Sequence, residues 1–290
     1  MELRVLRYFL MVAREESITR AAEILHITQP TLSRQLSQLE EELGVKLFER
    51  GARRITLTNE GILLRRRAEE LTLLADKTEK ELTAQEGCVE GRISIGCGEI
   101  GAVERLAGIC QAFHAQYPRV RFDLFTANAD LVREQMDKGL IDIGLLLEPV
   151  DMDKYGYIRM DMREEWGVLM RPEDPLAVHE SVTADDLAPL PLILPRRGSV
   201  QNELAGWFGP AYDRLHVLFT SNLSTNSAFM VQKELGYSLV IRGSVSFWDK
   251  SQIVFRPLSP SLRATSVLAW KRHQPFAPAA ERFIEFIRRS

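Results

Sequence analysis

Cysteine is scarce in this sequence. The 290 residues include three cysteines, Cys88, Cys97 and Cys110, and none of them belongs to a CxxC pair. An odd number of cysteines without metal-ligand spacing argues against both a disulfide framework and a zinc site. We therefore expect a protein of a reducing compartment that carries no metal and no other cofactor.

Long apolar runs are also missing. The N-terminal run at residues 9–13 is short, and Arg7, Arg14 and Glu15 lie beside it. A signal peptide or a membrane-spanning helix of about 20 uncharged residues needs a longer run than this. We expect a cytoplasmic protein without a membrane partner.

Neither sign of charge dominates. The formal net charge is −3, and residues 1–60 hold nine Lys or Arg against nine Asp or Glu. Acidic residues are nevertheless absent between positions 24 and 39, where Arg34 lies, and a basic cluster follows at Arg50, Arg53 and Arg54. Such local asymmetry would allow one face of the protein to meet phosphate groups.

Catalytic motifs are absent as well. The sequence has no GxSxG, HExxH, GxGxxG or P-loop pattern, and its five histidines show no catalytic spacing. We therefore do not expect an enzyme. The alternative would be an enzyme of the two-lobed α/β class that uses Cys97 and a histidine as nucleophile and base.

The N-terminus carries the pattern of three short helices. Apolar residues recur at helical spacing from position 6 onward. Ser17 is a suitable N-cap for a second helix, and Thr28, with Pro30 in the first turn, is suitable for a third. Gly44 would end the third helix.

A hairpin pattern follows these helices. Residues 45–48 are mainly apolar, residues 51–54 (GARR) form a basic turn, and residues 55–58 alternate as a strand does. Two helices joined by a turn and followed by a hairpin predict a winged helix-turn-helix over residues 1–60.

Residues 61–88 predict a long helix for dimerisation. Residues 62–86 contain neither Pro nor Gly. Positions four and three apart are small or apolar, as in a coiled-coil seam; they are Leu64, Ala68, Leu71, Ala75, Thr78 and Leu82. The alternative is an ordinary amphipathic helix that lies on its own domain.

From Gly91 onward, strands alternate with helices, which predicts a parallel sheet in an α/β unit. The order of the segments indicates two lobes with two crossings between them. We expect a crossing strand near residues 160–170. The first subdomain would comprise residues 91–161 and 266–290, and the second would comprise residues 162–265.

The motifs of the N-terminal region resemble those of LysR-type transcriptional regulators. They are TQPTLSRQLSQLEEELGVKLFER at 28–50, SITRAAEIL at 17–25 and LTNEG at 57–61. GRISIG at 91–96 and DKGLIDIGLL at 137–146 extend the resemblance more loosely toward the C-terminus. The resemblance implies an N-terminal all-α winged helix-turn-helix followed by an α/β, periplasmic-binding-protein-like sensor of two subdomains. It also implies sequence-specific DNA binding that a small-molecule effector modulates.

The third helix would read DNA, because an α-helix fits the major groove and these side chains are polar or forked. Carried over from the motif, the DNA contacts are Gln29, Thr31, Ser33 and Arg34 on that helix, with Arg53 and Arg54 in the wing. Gln38 is a further polar candidate.

The effector would lie where strands end beside helix N-termini, in the cleft between the lobes. By resemblance, the segments that hold it contain Cys97, Gly98, Glu99, Ile100, Asn128, Glu148, Arg196, Ser199, Asn222 and Thr225. The family commonly has hydroxyl residues at the first corner, where this sequence has CGEI at 97–100. Glu99 and Glu148 would repel a simple carboxylate unless Arg196 or Arg197 dominates. We expect an effector with an amine or hydroxyls on one side and an anion on the other.

Two other functions remain open at this point. A thiol-based redox-sensing regulator would use Cys97, because a thiol at a helix N-terminus has a depressed pKa. An architectural DNA protein without ligand control is the other, although it would leave the α/β region without a role.

The partners that follow from the resemblance are of four kinds. They are a double-stranded DNA operator, a small-molecule effector, further copies of the chain arranged as a dimer of dimers, and RNA polymerase if the protein activates transcription.

Overall fold

The computed structural model describes residues 1–50, 55–83 and 89–289. It divides into two compact units, Met1–Thr83 and Ala84–Ser290. None of the helices in these described ranges is both long and apolar enough to cross a membrane.

The first unit contains four helices and one hairpin. They are α1 (Leu3–Glu15), α2 (Ile18–Ile24), α3 (Gln29–Leu43), β1 (Phe48–Arg50), β2 (Ile55–Leu57) and α4 (Asn59–Thr83). Ser17 Oγ accepts a hydrogen bond from the Arg20 amide at 3.3 Å, and Thr28 Oγ1 accepts one from the Thr31 amide at 3.4 Å. Gly44 ends α3 with a φ of 70°, which favours glycine. The start of α2 and both ends of α3 are therefore the ones that the sequence predicts.

A buried apolar core joins the helices of the first unit. Leu6 and Phe9 of α1 pack with Leu32, Leu36 and Leu39 of α3. Strands β1 and β2 pair antiparallel, with Phe48 opposite Leu57. The tip of the hairpin lies outside the described residues, and so do Arg53 and Arg54, whose DNA contact stays a prediction.

Glu40 connects α3 to the hairpin. Its carboxylate accepts hydrogen bonds from the backbone amides of Leu47, at 2.8 Å, and Phe48, at 3.3 Å, and it pairs with Lys46 at 2.7 Å. Burial alone would raise the pKa of Glu40, but the hydrogen bonds outweigh that effect and hold the pKa below its ordinary value of 4.5. The hairpin is thus held in a defined position relative to α3.

We expect Glu40→Ala to lower the free energy of unfolding of the first unit by about 1–3 kcal/mol at neutral pH, because two amides lose a charged acceptor. A carboxylate with a depressed pKa stabilises the folded state above its unfolded-state pKa, and this contribution is lost as the pH falls through the folded-state value. The two proteins should therefore approach equal stability below pH 4.5. Chemical denaturation across pH measures this, with the exposed Glu41→Ala as the control; a deficit that is independent of pH would contradict it.

Helix α4 only partly follows the predicted dimerisation seam. Ala68 is fully buried in the core of its own unit, and Leu64 packs against the same core. Leu71 and Leu82 are 42% and 81% exposed. The N-terminal half therefore lies on its own domain, as the alternative interpretation had it, while leucines of the later turns remain available to a partner.

The second unit alternates strands and helices. Its strands are β3 (Gly91–Cys97), β4 (Val120–Thr126), β5 (Ile143–Leu147), β6 (Tyr155–Met170), β7 (Pro191–Pro195), β8 (His216–Ser221), β9 (Tyr237–Ile241), β10 (Val254–Pro257) and β11 (Arg263–Lys271). Its α-helices are α5 (Ala102–Gln116), α6 (Ala129–Asp137), α7 (Ala184–Leu187), α8 (Gly198–Phe208), α9 (Ser224–Gln232) and α10 (Pro278–Arg289). Short 3₁₀ helices lie at Pro175–Val178, Gly209–Arg214 and Arg242–Val245.

The strands form one nine-stranded sheet that two long strands divide into lobes. The order is β4-β3-β5-β11-β6-β9-β7-β8, with β10 paired to β6. Strand β3 runs parallel to β4 and β5, and β7 runs parallel to β8 and β9. Residues 155–165 of β6 pair with β11, and residues 166–169 pair with β9. Strands β6 and β11 are therefore the two crossings, and we call them the hinge strands.

The predicted subdomain limits fall inside the hinge strands. Positions 161 and 162 lie within β6, and positions 265 and 266 lie within β11. The C-terminal segment does return to the first lobe, because β11 pairs with β5 and Phe283 of α10 packs edge-on against Phe113 of α5 at 4.9 Å. This arrangement places the carboxyl ends of β3, β5, β7 and β8 around one cleft.

Candidate functional site

Helix α3 presents a polar face on the side opposite its core residues. Leu32, Leu36 and Leu39 are buried, and at 100° per residue Arg34 lies nearly opposite the centre of that apolar stripe. Arg34 is exposed and makes neither an ion pair nor a hydrogen bond with any residue that the structure describes. A guanidinium without an internal partner can donate to an external acceptor.

The other predicted DNA-contact residues of α3 differ in their exposure and in their internal hydrogen bonds. Gln29 and Thr31 are exposed, and Ser33 is half-buried. The Thr31 hydroxyl lies 2.8 Å from that of Thr28, so part of its hydrogen-bonding capacity serves the helix cap. Gln38 accepts a hydrogen bond from Gln35 at 3.4 Å. The side chains of Gln29, Ser33 and Arg34 form no hydrogen bond or ion pair with a described residue, and Arg34 is the charged one of these three.

In the second unit, a cavity of about 100 Å³ lies in the cleft between the lobes. Apolar side chains from both lobes and from a hinge strand line much of it; they include Ile100, Leu145, Leu147, Trp166, Leu194 and Leu239. Small-molecule sites in proteins are typically concave, mostly apolar and supplied with a few polar groups. This cavity has that composition.

The structure brings six of the predicted effector residues to this cavity. They are Gly98, Glu99, Ile100, Asn128, Arg196 and Asn222. Four others are not among its lining residues, namely Cys97, Glu148, Ser199 and Thr225. Six of the ten predicted residues thus line the cavity, and their contact with an effector stays a prediction.

Cys97 departs from the sequence interpretation. It is the last residue of β3, is 2% exposed, and packs in the core of the unit, while α5 begins only at Ala102. Burial raises the pKa of the Cys97 thiol. The prediction that this thiol has a depressed pKa, as a redox sensor requires, is therefore wrong. The side chain is buried in the core, and four residues separate it from the first residue of α5.

Glu148 lies outside the cavity, in a separate outer groove along the hinge strands. Its carboxylate accepts a hydrogen bond from the Thr265 hydroxyl at 2.5 Å, and Arg159 lies 3.7 Å away. It therefore does not contribute the negative charge that we expected near the effector. Ser199 is half-buried, and its hydroxyl is buried without a partner among the described residues.

Glu99 lines the cleft, but its carboxylate is already hydrogen-bonded within the protein. From the first lobe its carboxylate reaches the N-terminus of α9 in the second lobe, where Oε2 accepts from the amides of Ser224 at 2.7 Å and Thr225 at 3.0 Å. The Thr225 hydroxyl donates to Oε1. The negative charge that we expected to repel a carboxylate ligand is thus already bound to the protein.

Arg197 also lines the cleft, and sequence reasoning did not predict its contacts there. It is 8% exposed, and from the second lobe it donates to the carbonyl oxygens of Leu147, at 3.0 Å, and Pro149, at 2.8 Å. Its Nε lies 3.3 Å from Asp130 Oδ1. Burial lowers the pKa of Arg197, while Asp130 acts in the opposite direction. The RR pair at 196–197 was visible in the sequence, but not which arginine turns inward.

The second half of β6 supplies two more residues near the cleft that sequence reasoning did not select. Trp166 is 3% exposed and lines the cavity, and its Nε1 has no hydrogen-bond partner among the described residues. Glu164 is 4% exposed and accepts a hydrogen bond from the Ala102 amide at the N-terminus of α5, at 3.1 Å. Both helix N-termini, those of α5 and α9, are therefore occupied by glutamates of the chain itself.

Comparisons with known proteins agree with this two-unit architecture. Residues 3–62 match the model of the bacterial regulatory helix-turn-helix protein, lysR family, and residues 87–290 match that of the LysR substrate binding domain. The Hca operon transcriptional activator HcaR of Escherichia coli is 29% identical over 99% of this chain and 97% of its own length. The transcriptional activator IlvY of Salmonella typhimurium is 32% identical over 72% of this chain and 71% of its own length.

A solved structure shows the same fold over the whole chain. Full-length CbnR in complex with its target DNA has a TM-score of 0.73 and 24% identity, and the match covers 100% of this chain and 99% of CbnR. The helix-turn-helix and the two-lobed unit thus follow one another along the chain in the same order as in CbnR. The matches over both units show that this chain belongs to the LysR family of DNA-binding transcriptional regulators.

Proposed function

We propose that this regulator recognises one operator sequence through α3 and that a small molecule in the cavity between the lobes changes its action on DNA. The observation that supports the DNA contact most strongly is Arg34, which is exposed, lies opposite the core and has no partner among the described residues. Arginine donates in bidentate fashion to guanine edges or to phosphates. Gln29, Thr31 and Ser33 would position the helix or read neighbouring bases, and the wing arginines would reach the backbone.

The cavity supports a compact effector with a largely apolar body. About half of its lining residues are aliphatic, and the polar ones include Arg196, Arg197 and several serines. Trp166 also lines it, and the buried Nε1 of this side chain has no hydrogen-bond partner among the described residues. A buried donor without an acceptor is costly, so a ligand with a hydrogen-bond acceptor at this position would gain affinity from pairing with it. The mixed-charge effector that the sequence alone suggested is the alternative, because Arg196 and Arg197 also line the cavity.

Selection of genomic DNA fragments with the full chain, followed by footprinting with and without fractionated metabolites, tests the function. A specific protected sequence whose pattern changes with one metabolite would support both parts of the proposal. An invariant footprint would instead favour an architectural protein, and the absence of any specific fragment would overturn operator recognition. RNA polymerase would be a partner if the regulated gene is activated.

We also propose that copies of the chain assemble through the sensor unit as well as through α4, as a dimer of dimers. The two edge strands of the sheet, β4 and β8, expose apolar side chains at Leu124, which is 61% exposed, and at Phe219, which is 40% exposed. Apolar sheet edges in a soluble protein indicate a surface that another chain covers.

We expect Leu124→Glu to halve the mass of the assembly in sedimentation, because a charge would have to be buried at one of the two interfaces while pairing through α4 is retained. Val178→Glu is the matched control, since Val178 is 83% exposed and lies on neither edge strand. An unchanged mass for Leu124→Glu, or an equal change in both variants, would contradict the assignment.

A further inference from the structure

The contact between Glu99 and α9 joins the two lobes across the mouth of the cavity. Glu99 follows β3 in the first lobe, and Ser224 and Thr225 open α9 in the second. The carboxylate receives two backbone N–H groups and one hydroxyl. Helix N-termini favour anions because their first amides lack intrahelical acceptors and the helix dipole is positive there.

A second contact runs in the opposite direction. Arg197 extends from the second lobe and donates to the carbonyl groups of Leu147 and Pro149 in the first. Each lobe therefore inserts one charged side chain into the other, and both Glu99 and Arg197 line the cavity. The lobes are held together by groups of the chain itself.

We propose that Glu99 is a built-in substitute for a ligand anion: it occupies the anion-binding N-terminus of α9 and holds the lobes closed without an effector. Two consequences follow for the effector site, and they rest on the proposed function of the cavity. A carboxylate ligand cannot use α9 unless it displaces Glu99. An uncharged or weakly polar ligand can occupy the cavity while the contact between Glu99 and α9 stays intact.

Truncation of Glu99 and replacement of the missing group by acetate test this proposal. Glu99→Ala removes the atoms of one acetate ion, so free acetate can fill the vacated position. Glu99→Gln keeps the shape of the side chain but removes its charge and replaces one of the two acceptor oxygens by an NH2 donor. Glu180→Ala is the control, because Glu180 is exposed and has no partner among the described residues. The readouts are the thermal midpoint of the full chain and acrylamide quenching of tryptophan fluorescence, in acetate against chloride at equal ionic strength.

We expect Glu99→Ala to have a midpoint lower by about 2–4 °C, the shift typical of a loss of one moderate interaction in a unit of this size. Its tryptophan quenching should rise because Trp166 gains solvent access. Acetate should reverse both changes in Glu99→Ala and leave the wild type, Glu99→Gln and Glu180→Ala unaffected.

The proposal would be overturned if acetate stabilised all four proteins alike, or if Glu99→Ala matched the wild type in midpoint and quenching and did not respond to acetate. If Glu99→Ala cannot be obtained folded, Thr225→Val provides the second test, since it removes the hydroxyl donor and should raise quenching. None of these measurements uses an operator or an effector. Their failure would therefore leave the proposed function standing, and an invariant footprint would leave the Glu99 contact standing.

Discussion

Arg34→Ala should weaken binding to the selected operator by about 1–3 kcal/mol, or about 5- to 150-fold, and should relax the base preference at one position of the site. The physical reason is that the guanidinium of Arg34 projects from the face of α3 opposite the core, and no residue in the described part of the chain competes for its donors. Fluorescence anisotropy with a panel of single-base operator variants measures both effects.

The control is Arg4→Ala, which removes the same charge from the same unit. Arg4 lies on α1, and its guanidinium pairs with Glu2 at 3.3 Å. If Arg34 contacts a phosphate instead of a base, the Arg34→Ala protein should bind all DNA sequences more weakly by the same factor. The slope of the logarithm of affinity against the logarithm of salt concentration should then fall by about one. Equal affinity of the Arg34→Ala and Arg4→Ala proteins for every operator variant would remove Arg34 from the interface.

The second large effect is expected at Arg197. Arg197→Met keeps much of the side-chain volume but removes charged donors from the carbonyls of Leu147 and Pro149. We expect the free energy of unfolding of the sensor unit to fall by about 3 kcal/mol, because buried acceptors lose charge-assisted hydrogen bonds and Asp130 loses its counter-ion. For a unit of this size that corresponds to roughly 6–12 °C in the thermal midpoint.

The neighbouring residue offers a matched control. Arg196 is exposed, and its side chain forms no hydrogen bond or ion pair with another described residue. Arg196→Met should therefore leave the stability of the sensor unit within experimental error. Calorimetry of both variants measures the difference, and equal losses would show that the contacts of Arg197 contribute nothing specific.

Much of the first unit could be derived from the sequence. Ser17, Thr28 and Gly44 set helix ends through local chemistry, namely side-chain capping and a positive φ, and such interactions involve residues a few positions apart. The spacing of the α3 leucines likewise determines which face is buried, and hence that Arg34 faces outward. The alternation of strands and helices, which is also a local pattern, predicted the α/β fold of the second unit.

The seam of α4 shows where local periodicity is insufficient. Leu64, Ala68 and Leu71 belong to one heptad stripe of the helix. Ala68 is nevertheless buried against its own unit, whereas Leu71 is 42% exposed. A helix pattern specifies a stripe, but the neighbour that covers each part of the stripe is chosen by packing between distant segments.

Thus the sequence by itself determined the helix-turn-helix, the outward face of α3, the α/β order and the position of the cleft at strand ends. Only the tertiary structure decided what occupies that cleft. Glu99 bonds to residues 125 and 126 positions away, and Arg197 bonds to carbonyls 50 and 48 positions away. Whether a glutamate faces a ligand or caps a helix of the other lobe depends on how the two lobes pack together. No local sequence pattern encodes a contact between residues that lie so far apart in the chain.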